Sequence, residues 1–170
     1  DLLQERHDTD MKIGIASDHR GVALKARLAQ LLQSMDCEVH DLGPFEAQSV
    51  DYPDYAARVA REVSTGAVDR GILICGTGLG MCITANKFSG VRAVTCQDSV
   101  TAAYSRAHND ANVICLSADQ LSDQVADQVV RSTAVTDEVA HRAGRTAETV
   151  SRLEEAAARI NDVVKLIQSI

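Results

Sequence analysis

One stretch of the chain, residues 71–87 (GILICGTGLGMCITANK), constrains the fold more than any other. Its apolar run at 72–74 is typical of a buried parallel strand, and Cys75 ends that run. Glycines at alternate positions then lead into a helix that is predicted to begin around Met81: Gly76, Gly78 and Gly80. Such a turn leaves backbone N–H groups unpaired at a helix N-terminus, which predicts an anion site with a thiol on its rim. Alternatively, the glycines only permit a tight turn and Cys75 is a small buried residue.

The rest of the chain repeats this alternation of a short apolar strand and an amphipathic helix. The other strands are predicted at residues 11–17, 37–42, 91–96 and 112–117. The alternation is typical of right-handed βαβ units, so we expect a three-layer α/β/α Rossmann-like sandwich with a five-stranded parallel sheet. Ligands of such sheets bind beyond the carboxyl ends of the strands, where Asp18, His19 and Cys75 are predicted to lie.

Composition narrows the class of ligand. The net charge is −7, aromatic residues make up 3% and tryptophan is absent, which argues against a nucleic-acid or anionic-membrane surface. The five cysteines are odd in number and lack zinc-type spacing, so we predict reduced thiols with neither a metal nor a cofactor. The sequence shows no secretory signal and no apolar run of membrane-spanning length, which predicts the cytoplasm.

Both ends of the chain are predicted to lie outside a sheet domain at residues 11–136. Residues 1–10 are polar and are interpreted as an N-terminal extension, either native or added. In the tail, residues 137–170, apolar side chains recur at steps of three and four in a heptad-like seam. This seam suits a C-terminal helix that packs either on its own domain or on a partner subunit, and further apolar residues at its end favour the partner.

Cys75 is the strongest candidate for catalysis. A thiol at a helix N-terminus can act as a general base, and the amides of residues 76–80 could stabilise an oxyanion opposite it. This pairing suits proton abstraction next to a carbonyl, where an enediolate must be held. Thr77 adds a hydroxyl that could relay a proton or only bond the local backbone.

Other groups with suitable chemistry are scattered along the sequence, and each also has an ordinary structural interpretation. His19 and His108 can change charge near neutral pH, although a single histidine is more often a structural residue. Asp18 is a strand-end carboxylate, which alone does not establish metal binding. Arg142 and Arg145 could bind a phosphate or remain solvated.

Several of these segments together resemble one family, the type B ribose-5-phosphate isomerases with the related galactose-6-phosphate isomerase subunits. The matching segments are Ser17-Asp18-His19 with Gly21 and Lys25, the run from Asp51 to Ala56, Cys75-Gly76-Thr77-Gly78 through Ala85-Asn86-Lys87, and His108-Asn109-Asp110 with Asn112-Val113. The resemblance implies an aldose–ketose isomerase of the pentose phosphate pathway that interconverts ribose 5-phosphate and ribulose 5-phosphate without a metal. A dinucleotide-binding module is a poorer match, because Met81 occupies the last glycine of its fingerprint.

The resemblance also implies the catalytic roles. His108 would open the sugar ring, and Cys75 would move the proton between C1 and C2. The enediolate would be held by Thr77, Asn109 and the glycine-loop amides of Gly76, Gly78, Leu79 and Gly80.

Substrate binding is implied in the same way. Asp18 and Tyr52 would contact the sugar, and His19 and Arg142 the phosphate. Members of the family are dimers or tetramers with sites built from both subunits, which suits a tail that packs on a partner subunit. We therefore expect a homodimer or homotetramer with shared active sites.

Two departures from the family fall on the phosphate side. Asp119 stands eleven residues after His108, where an arginine is expected, and Thr146 stands where the second arginine of a C-terminal pair is expected. Arg145 or Arg152 could supply the missing cation. Alternatively, the substrate is another sugar, such as allose 6-phosphate, galactose 6-phosphate or an unphosphorylated sugar, or the protein binds sugar phosphates without catalysis.

Overall fold

The computed structural model of the chain describes residues 11–133, 149–153 and 159. The chain divides into two compact units, residues 1–133 and 134–170. The described residues of the second unit are helical, whereas Arg142 and Arg145 lie outside the described residues. The packing of the tail on a partner therefore stays a prediction. Within the described parts of the chain, no helix is both long and apolar enough to cross a membrane.

Five parallel strands form one sheet in the first unit. They are β1 (Lys12–Ser17), β2 (Glu38–Asp41), β3 (Arg70–Cys75), β4 (Ala93–Thr95) and β5 (Val113–Ser117). Their order across the sheet is β2-β1-β3-β5-β4, and all four neighbouring pairs are parallel. β2 lies on one side of β1, whereas β3 and the later strands lie on the other side. The strand order therefore reverses between β1 and β3. The predicted parallel α/β sandwich is confirmed.

Helices cover both faces of the sheet. They are α1 (Val22–Gln33), α2 (Tyr52–Thr65), α3 (Leu79–Ala85), α4 (Ser99–Asn109) and α5, residues 123–133 as described. Buried side chains of α2 and α3 pack with Leu73 and Cys75, whereas those of α1, α4 and α5 pack with Ile72 and Ile74. Alternate residues of β3 thus enter opposite apolar clusters, which explains why this central strand is apolar throughout.

The ends of the helices follow local chemistry. Asp98 caps α4 by accepting a hydrogen bond from the Thr101 amide at 2.7 Å, and Gly66 ends α2 with a φ of 74°. Helix α3 begins at Leu79 instead of Met81, because Gly78 adopts a left-handed conformation with a φ of 76° directly before it. An added Cβ at Gly78 would also lie 3.2 Å from the backbone of Leu116, so the turn has little room for a side chain.

A buried ion pair supports the loop that follows β2. The Lys25 side chain is 2% exposed and donates to the Asp41 carboxylate at 2.5 Å. Asp41 also accepts a hydrogen bond from the Gly43 amide at 2.9 Å, while the Gly43 carbonyl accepts from Ser17 at 3.0 Å. These contacts join the loop to the end of β1, where the candidate site begins.

Candidate active site

The ends of β1, β3 and β5 lie side by side at what we call the carboxyl edge, comprising residues 18–20, 75–80 and 117–119. The Asp18 amide donates to the Ile74 carbonyl at 2.9 Å, and the Ala118 amide donates to the Cys75 carbonyl at 2.8 Å. The predicted convergence of strand ends therefore occurs at the point where the strand order reverses. This is the usual position of a ligand site in an open parallel sheet.

Cys75 lies at the centre of the carboxyl edge. Its side chain is 5% exposed, and its sulfur accepts a hydrogen bond from the Gly78 amide at 3.1 Å. The glycine turn thus folds back onto the sulfur and fixes its position.

The glycine turn offers fewer amides to a ligand than the sequence predicts. The Gly78 amide is directed at the sulfur of Cys75, and the Leu79 amide donates to the Thr77 hydroxyl at 3.4 Å. Within residues 11–133, the amides of Gly76, Thr77 and Gly80 show no protein acceptor. These three amides are the ones left to meet an oxyanion.

The exit loop of β1 supplies two of the predicted residues. Asp18 is 6% exposed, and its Oδ1 accepts hydrogen bonds from the amides of Arg20 at 2.8 Å and Gly21 at 3.2 Å. His19 Nδ1 accepts from the Val50 amide at 3.4 Å, which places the proton of the neutral ring on Nε2. The loop therefore holds a carboxylate and an imidazole donor beside Cys75 in the chain's own fold.

Tyr52 reaches the glycine turn from the first turn of α2. A Cβ added at Gly80 would lie 2.7 Å from two carbons of the Tyr52 ring, so the ring rests directly on this glycine. The Tyr52 side chain remains 41% exposed. The structure thus brings Tyr52 to the carboxyl edge together with Asp18, His19 and Cys75.

One charged pair at this edge was not foreseen in the sequence. The Arg20 guanidinium binds Asp119 in a bidentate manner, with Nε–Oδ1 at 3.1 Å and Nη2–Oδ2 at 2.6 Å. A Cβ added at Gly76 would lie 2.9 Å from Asp119 Oδ2 and 3.2 Å from Arg20 Nε. The carboxylate that stands in place of the expected arginine is therefore compensated. The sequence held one signal for this pair. Arg20 directly follows Asp18-His19 after one predicted strand, and Asp119, which has the opposite charge, follows another.

His108 and Asn109 lie at the other end of the sheet, which we call the amino edge. Both are exposed and end α4. Three residues further on, the Asn112 carbonyl accepts from the Gly71 amide at 2.9 Å, at the start of β3. Cys75 ends that strand, roughly 13 Å away at about 3.3 Å per residue. The described chain does not bring His108 and Asn109 to Cys75.

His108 has a neighbouring aromatic ring on this exposed surface. The Tyr104 and His108 rings lie with their centroids 5.1 Å apart. Two residues further on, the Arg92 guanidinium contacts Asp110 with Nη2–Oδ2 at 2.7 Å and donates through Nε to the Asp110 carbonyl at 2.6 Å. The amino edge therefore presents an exposed imidazole beside a tyrosine ring.

All five cysteines are free thiols, and their environments differ. Hydrogen bonds from Cys115, and also from Thr95 and Asn86, lower the pKa of Cys82 to about 6 in spite of its burial. Burial raises the pKa of Cys96 to about 11 and that of Cys115 well above its usual range. Among residues 11–133, 149–153 and 159, no three His, Cys, Asp or Glu side chains form a group that could hold a metal ion.

The sequence matches that of known sugar isomerases. Residues 13–153 match the Ribose/Galactose Isomerase family. Ribose-5-phosphate isomerase B of Escherichia coli (strain K12) is 44% identical over 119 residues, which cover 70% of this chain and 80% of that protein. The putative sugar phosphate isomerase YwlF of Bacillus subtilis (strain 168) is 43% identical over 122 residues, covering 71% and 82%.

Solved structures agree with this assignment. Ribose-5-phosphate isomerase B of Clostridium thermocellum matches with a TM-score of 0.72 and 40% identity, covering 82% of this chain and 99% of that chain. The enzyme of Mycoplasma genitalium with bound ribulose-5-phosphate matches with a TM-score of 0.71 and 36% identity, covering 82% and 98%. The resemblance found in the sequence is thus confirmed, and the chain belongs to the Ribose/Galactose Isomerase family.

Proposed function

We propose that this protein is an aldose–ketose isomerase that interconverts ribose 5-phosphate and ribulose 5-phosphate with Cys75 as the base. The observation that carries the proposal is the buried thiol at the end of β3, where the strand order reverses, with the Gly78 amide directed at its sulfur at 3.1 Å. Relatives named ribose-5-phosphate isomerase B, one of them with bound ribulose-5-phosphate, support the substrate.

The proton transfer needs one base and one site for negative charge. The Cys75 thiolate removes the proton from C2 of the open-chain aldose, and the electrons of the C2–H bond form the C1–C2 double bond of a cis-enediolate. Charge then develops on the C1 oxygen, where the amides of Gly76, Thr77 and Gly80 and the Thr77 hydroxyl can donate. Transfer of the O2 proton to O1 and return of the proton from sulfur to C1 complete the ketose.

Ring opening requires His108, which one chain keeps at the amino edge. We therefore propose a homodimer or homotetramer in which His108 and Asn109 of one copy meet Cys75 of another. Helices α3 and α4, which adjoin β4 along the chain, carry large apolar side chains that are more than half exposed, as an interface requires. These side chains are Leu79 (57%), Ile83 (63%), Val100 (62%) and Tyr104 (59%).

The remaining predicted contacts complete the proposal. Asp18 and Tyr52 contact the sugar hydroxyls, and His19 donates from Nε2 to the phosphate. Arg142 and Arg145, the other predicted phosphate ligands, lie outside the described residues. Free thiols are typical of a reducing compartment, which supports a place in the pentose phosphate pathway of the cytoplasm.

Deuterium exchange tests the base directly. In heavy water the wild-type protein is expected to place deuterium at C2 of ribose 5-phosphate and C1 of ribulose 5-phosphate, followed by NMR. Cys75→Ser should slow this exchange by roughly 10²- to 10⁴-fold, because a hydroxyl is a poor base at neutral pH.

Cys37→Ser is the matched control. It makes the same sulfur-to-oxygen change directly before β2, far from the carboxyl edge, and should leave the exchange rate unchanged. Wild-type exchange by Cys75→Ser would remove Cys75 as the base. Parallel assays with allose 6-phosphate, galactose 6-phosphate and ribose identify the preferred sugar. Lack of exchange with all of them by folded protein would favour non-catalytic sugar-phosphate binding.

A further inference from the structure

The charged pair over Gly76 assigns a function to a residue outside the matching family segments. We propose that Arg20, held in position by Asp119, binds the phosphate group of the substrate. On this view Arg20 supplies the cation that the resemblance places at position 119. The inference rests on the proposed isomerase function and names a specificity-determining residue of the same site.

The position of the pair is the first argument. Arg20 follows the exit of β1 and Asp119 follows the exit of β5, on either side of β3. Both side chains approach the space above Gly76, within 3.2 Å of where a Cβ would be. Gly76 directly follows Cys75, at roughly 3.8 Å between α-carbons. The pair therefore lies beside the residue that follows the proposed base, at the same edge of the sheet.

The anchoring of the pair is the second argument. The Arg20 amide donates to Asp18 Oδ1 at 2.8 Å, and the Asp119 amide donates to the Gly76 carbonyl at 3.2 Å. The same carbonyl accepts from the Ser117 hydroxyl at 2.6 Å. Both partners are thus tied to the strand ends, so little conformational freedom remains to be lost when a ligand binds.

The unused hydrogen-bonding capacity of Arg20 is the third argument. A guanidinium has five N–H donors, and Asp119 engages Nε and one N–H of Nη2. The Arg20 side chain remains 55% exposed, so its other donors reach solvent. They form the planar fork that binds phosphate oxygens in pairs.

The alternative interpretation is an exposed ion pair that only connects two loops. Such pairs contribute little to stability, and removing one would disturb every substrate alike. Phosphate recognition makes a different prediction, because only ligands that carry a phosphate would lose affinity. The two interpretations therefore separate in a comparison of phosphorylated and unphosphorylated sugars.

The decisive experiment uses Arg20→Gln in the full-length protein. Loss of a charge-assisted contact to phosphate is expected to raise KM for ribose 5-phosphate roughly tenfold to hundredfold while kcat changes little. Exchange into unphosphorylated ribose at C2 should keep its wild-type rate. Asp119→Asn should raise the same KM by a smaller factor, because Arg20 loses its bidentate partner but keeps its charge.

Arg27→Gln is the matched control. It removes a guanidinium from an ion pair with Asp127, at 2.5 Å, that joins α1 to α5, so KM should stay at the wild-type value. An unchanged KM for ribose 5-phosphate in Arg20→Gln would overturn the inference. Equal losses of activity toward ribose and ribose 5-phosphate would also overturn it, and would favour an ion pair that only connects two loops.

A binding measurement separates this inference from the proposed function. Titration of inorganic phosphate, followed by NMR, needs no turnover, and Arg20→Gln should weaken its binding by a factor similar to the rise in KM. If the wild-type protein shows no isomerisation but binds phosphate through Arg20, the isomerase proposal fails and the phosphate site stands. Equal phosphate affinity in wild type and Arg20→Gln removes the site whatever the activity.

Discussion

The carboxyl edge and the amino edge of the sheet both carry candidate catalytic residues, but the chain presents them in different ways. At the carboxyl edge Cys75 and Asp18 are 5% and 6% exposed and are held by backbone amides of their own loops. At the amino edge His108 and Asn109 are exposed at the end of a helix. The groups of one edge are buried and bonded to their own loops, whereas those of the other edge are exposed.

This difference would allow one small domain to hold both halves of the proposed site. The residues of the proposed proton transfer are close in the fold, because three parallel strands end beside one another. The residue proposed for ring opening is separated from them by the length of β3. A second copy of the chain can bring His108 to Cys75 without any change within the domain, and a symmetric pair would do so twice.

The largest expected change in activity comes from mixing two inactive variants, one altered at each edge. Cys75→Ser and His108→Ala should each reduce activity by roughly 10²-fold or more, because each removes a proton-transfer group. When equal amounts of the two proteins are unfolded together and refolded, the mixture should regain about a quarter of wild-type activity, since half the dimers are mixed and each has one intact site of two.

The result depends on where the two residues meet. No recovery in refolded mixtures that contain mixed oligomers would show that Cys75 and His108 act within one chain or that His108 is dispensable. Each variant refolded alone is the control and should stay inactive. Mass spectrometry of the intact oligomers confirms that exchange has taken place.

Substitution of one glycine at each edge tests the difference between the two edges, with a smaller expected change in KM and stability. Gly80→Ala at the carboxyl edge would place a Cβ 2.7 Å from the Tyr52 ring, so the ring should move outward and KM should rise several-fold. Its effect on the free energy of unfolding should be small, because alanine favours the helix by about 1 kcal/mol. Gly90→Ala near the amino edge meets open space at a φ of 77°, and should cost roughly 1 kcal/mol of stability without changing KM.

Chemical denaturation and steady-state kinetics check both variants. Tyr52→Ala should raise KM by a similar factor, and Gly80→Ala added to it should have little further effect, because the clash has lost its partner. A full additional loss in the double variant would contradict the proposed contact between the ring and the glycine.

The smallest expected effect is a difference between two thiols in the pH dependence of their alkylation. Cys82, whose sulfur donates to the carbonyl of Ala93 at the start of β4, has its pKa lowered to about 6. In Cys75→Ser protein, alkylation of Cys82 by iodoacetamide should rise with pH through about 6 and then level off, while Cys96, with a pKa of about 11, should stay unmodified at neutral pH.

Cys115→Ala tests the cause of this shift. The hydrogen bond from Cys115 makes the largest contribution to the lowered pKa of Cys82, so its removal should move the alkylation midpoint to higher pH. Peptide mapping by mass spectrometry measures the extent of modification at each pH. An unchanged midpoint would assign the shift to Thr95 and Asn86.

Much of the fold follows from the sequence alone. Short apolar runs alternating with amphipathic stretches predict parallel strands and covering helices, and the apolar run before Cys75 correctly marks a central strand. The ends of the elements follow less directly from the pattern of apolar residues. This pattern predicts a strand at 91–96, whereas β4 spans Ala93–Thr95. Strand order lies beyond local patterns, because a crossover helix of a given length can return the chain to either side of the sheet.

The site was predictable where its residues are neighbours in sequence. Asp18, His19 and the glycine turn are local motifs, and the parallel sheet brings them together. The Arg20–Asp119 pair joins positions 99 residues apart, and beyond their opposite charges nothing in either segment indicates the pairing. The direction of the Gly78 amide toward sulfur depends in the same way on the left-handed conformation of that residue.

The two outer strands of the described sheet have a consequence for association between molecules. β2 has four residues and β4 has three. Long exposed strand edges act as templates for aggregation, and short ones offer few unpaired backbone groups to a neighbouring chain. In the proposed oligomer, self-recognition would therefore depend on side chains of α3 and α4, which can select a specific partner. Because these edge strands are short, the protein should not form continuous intermolecular sheets at high concentration.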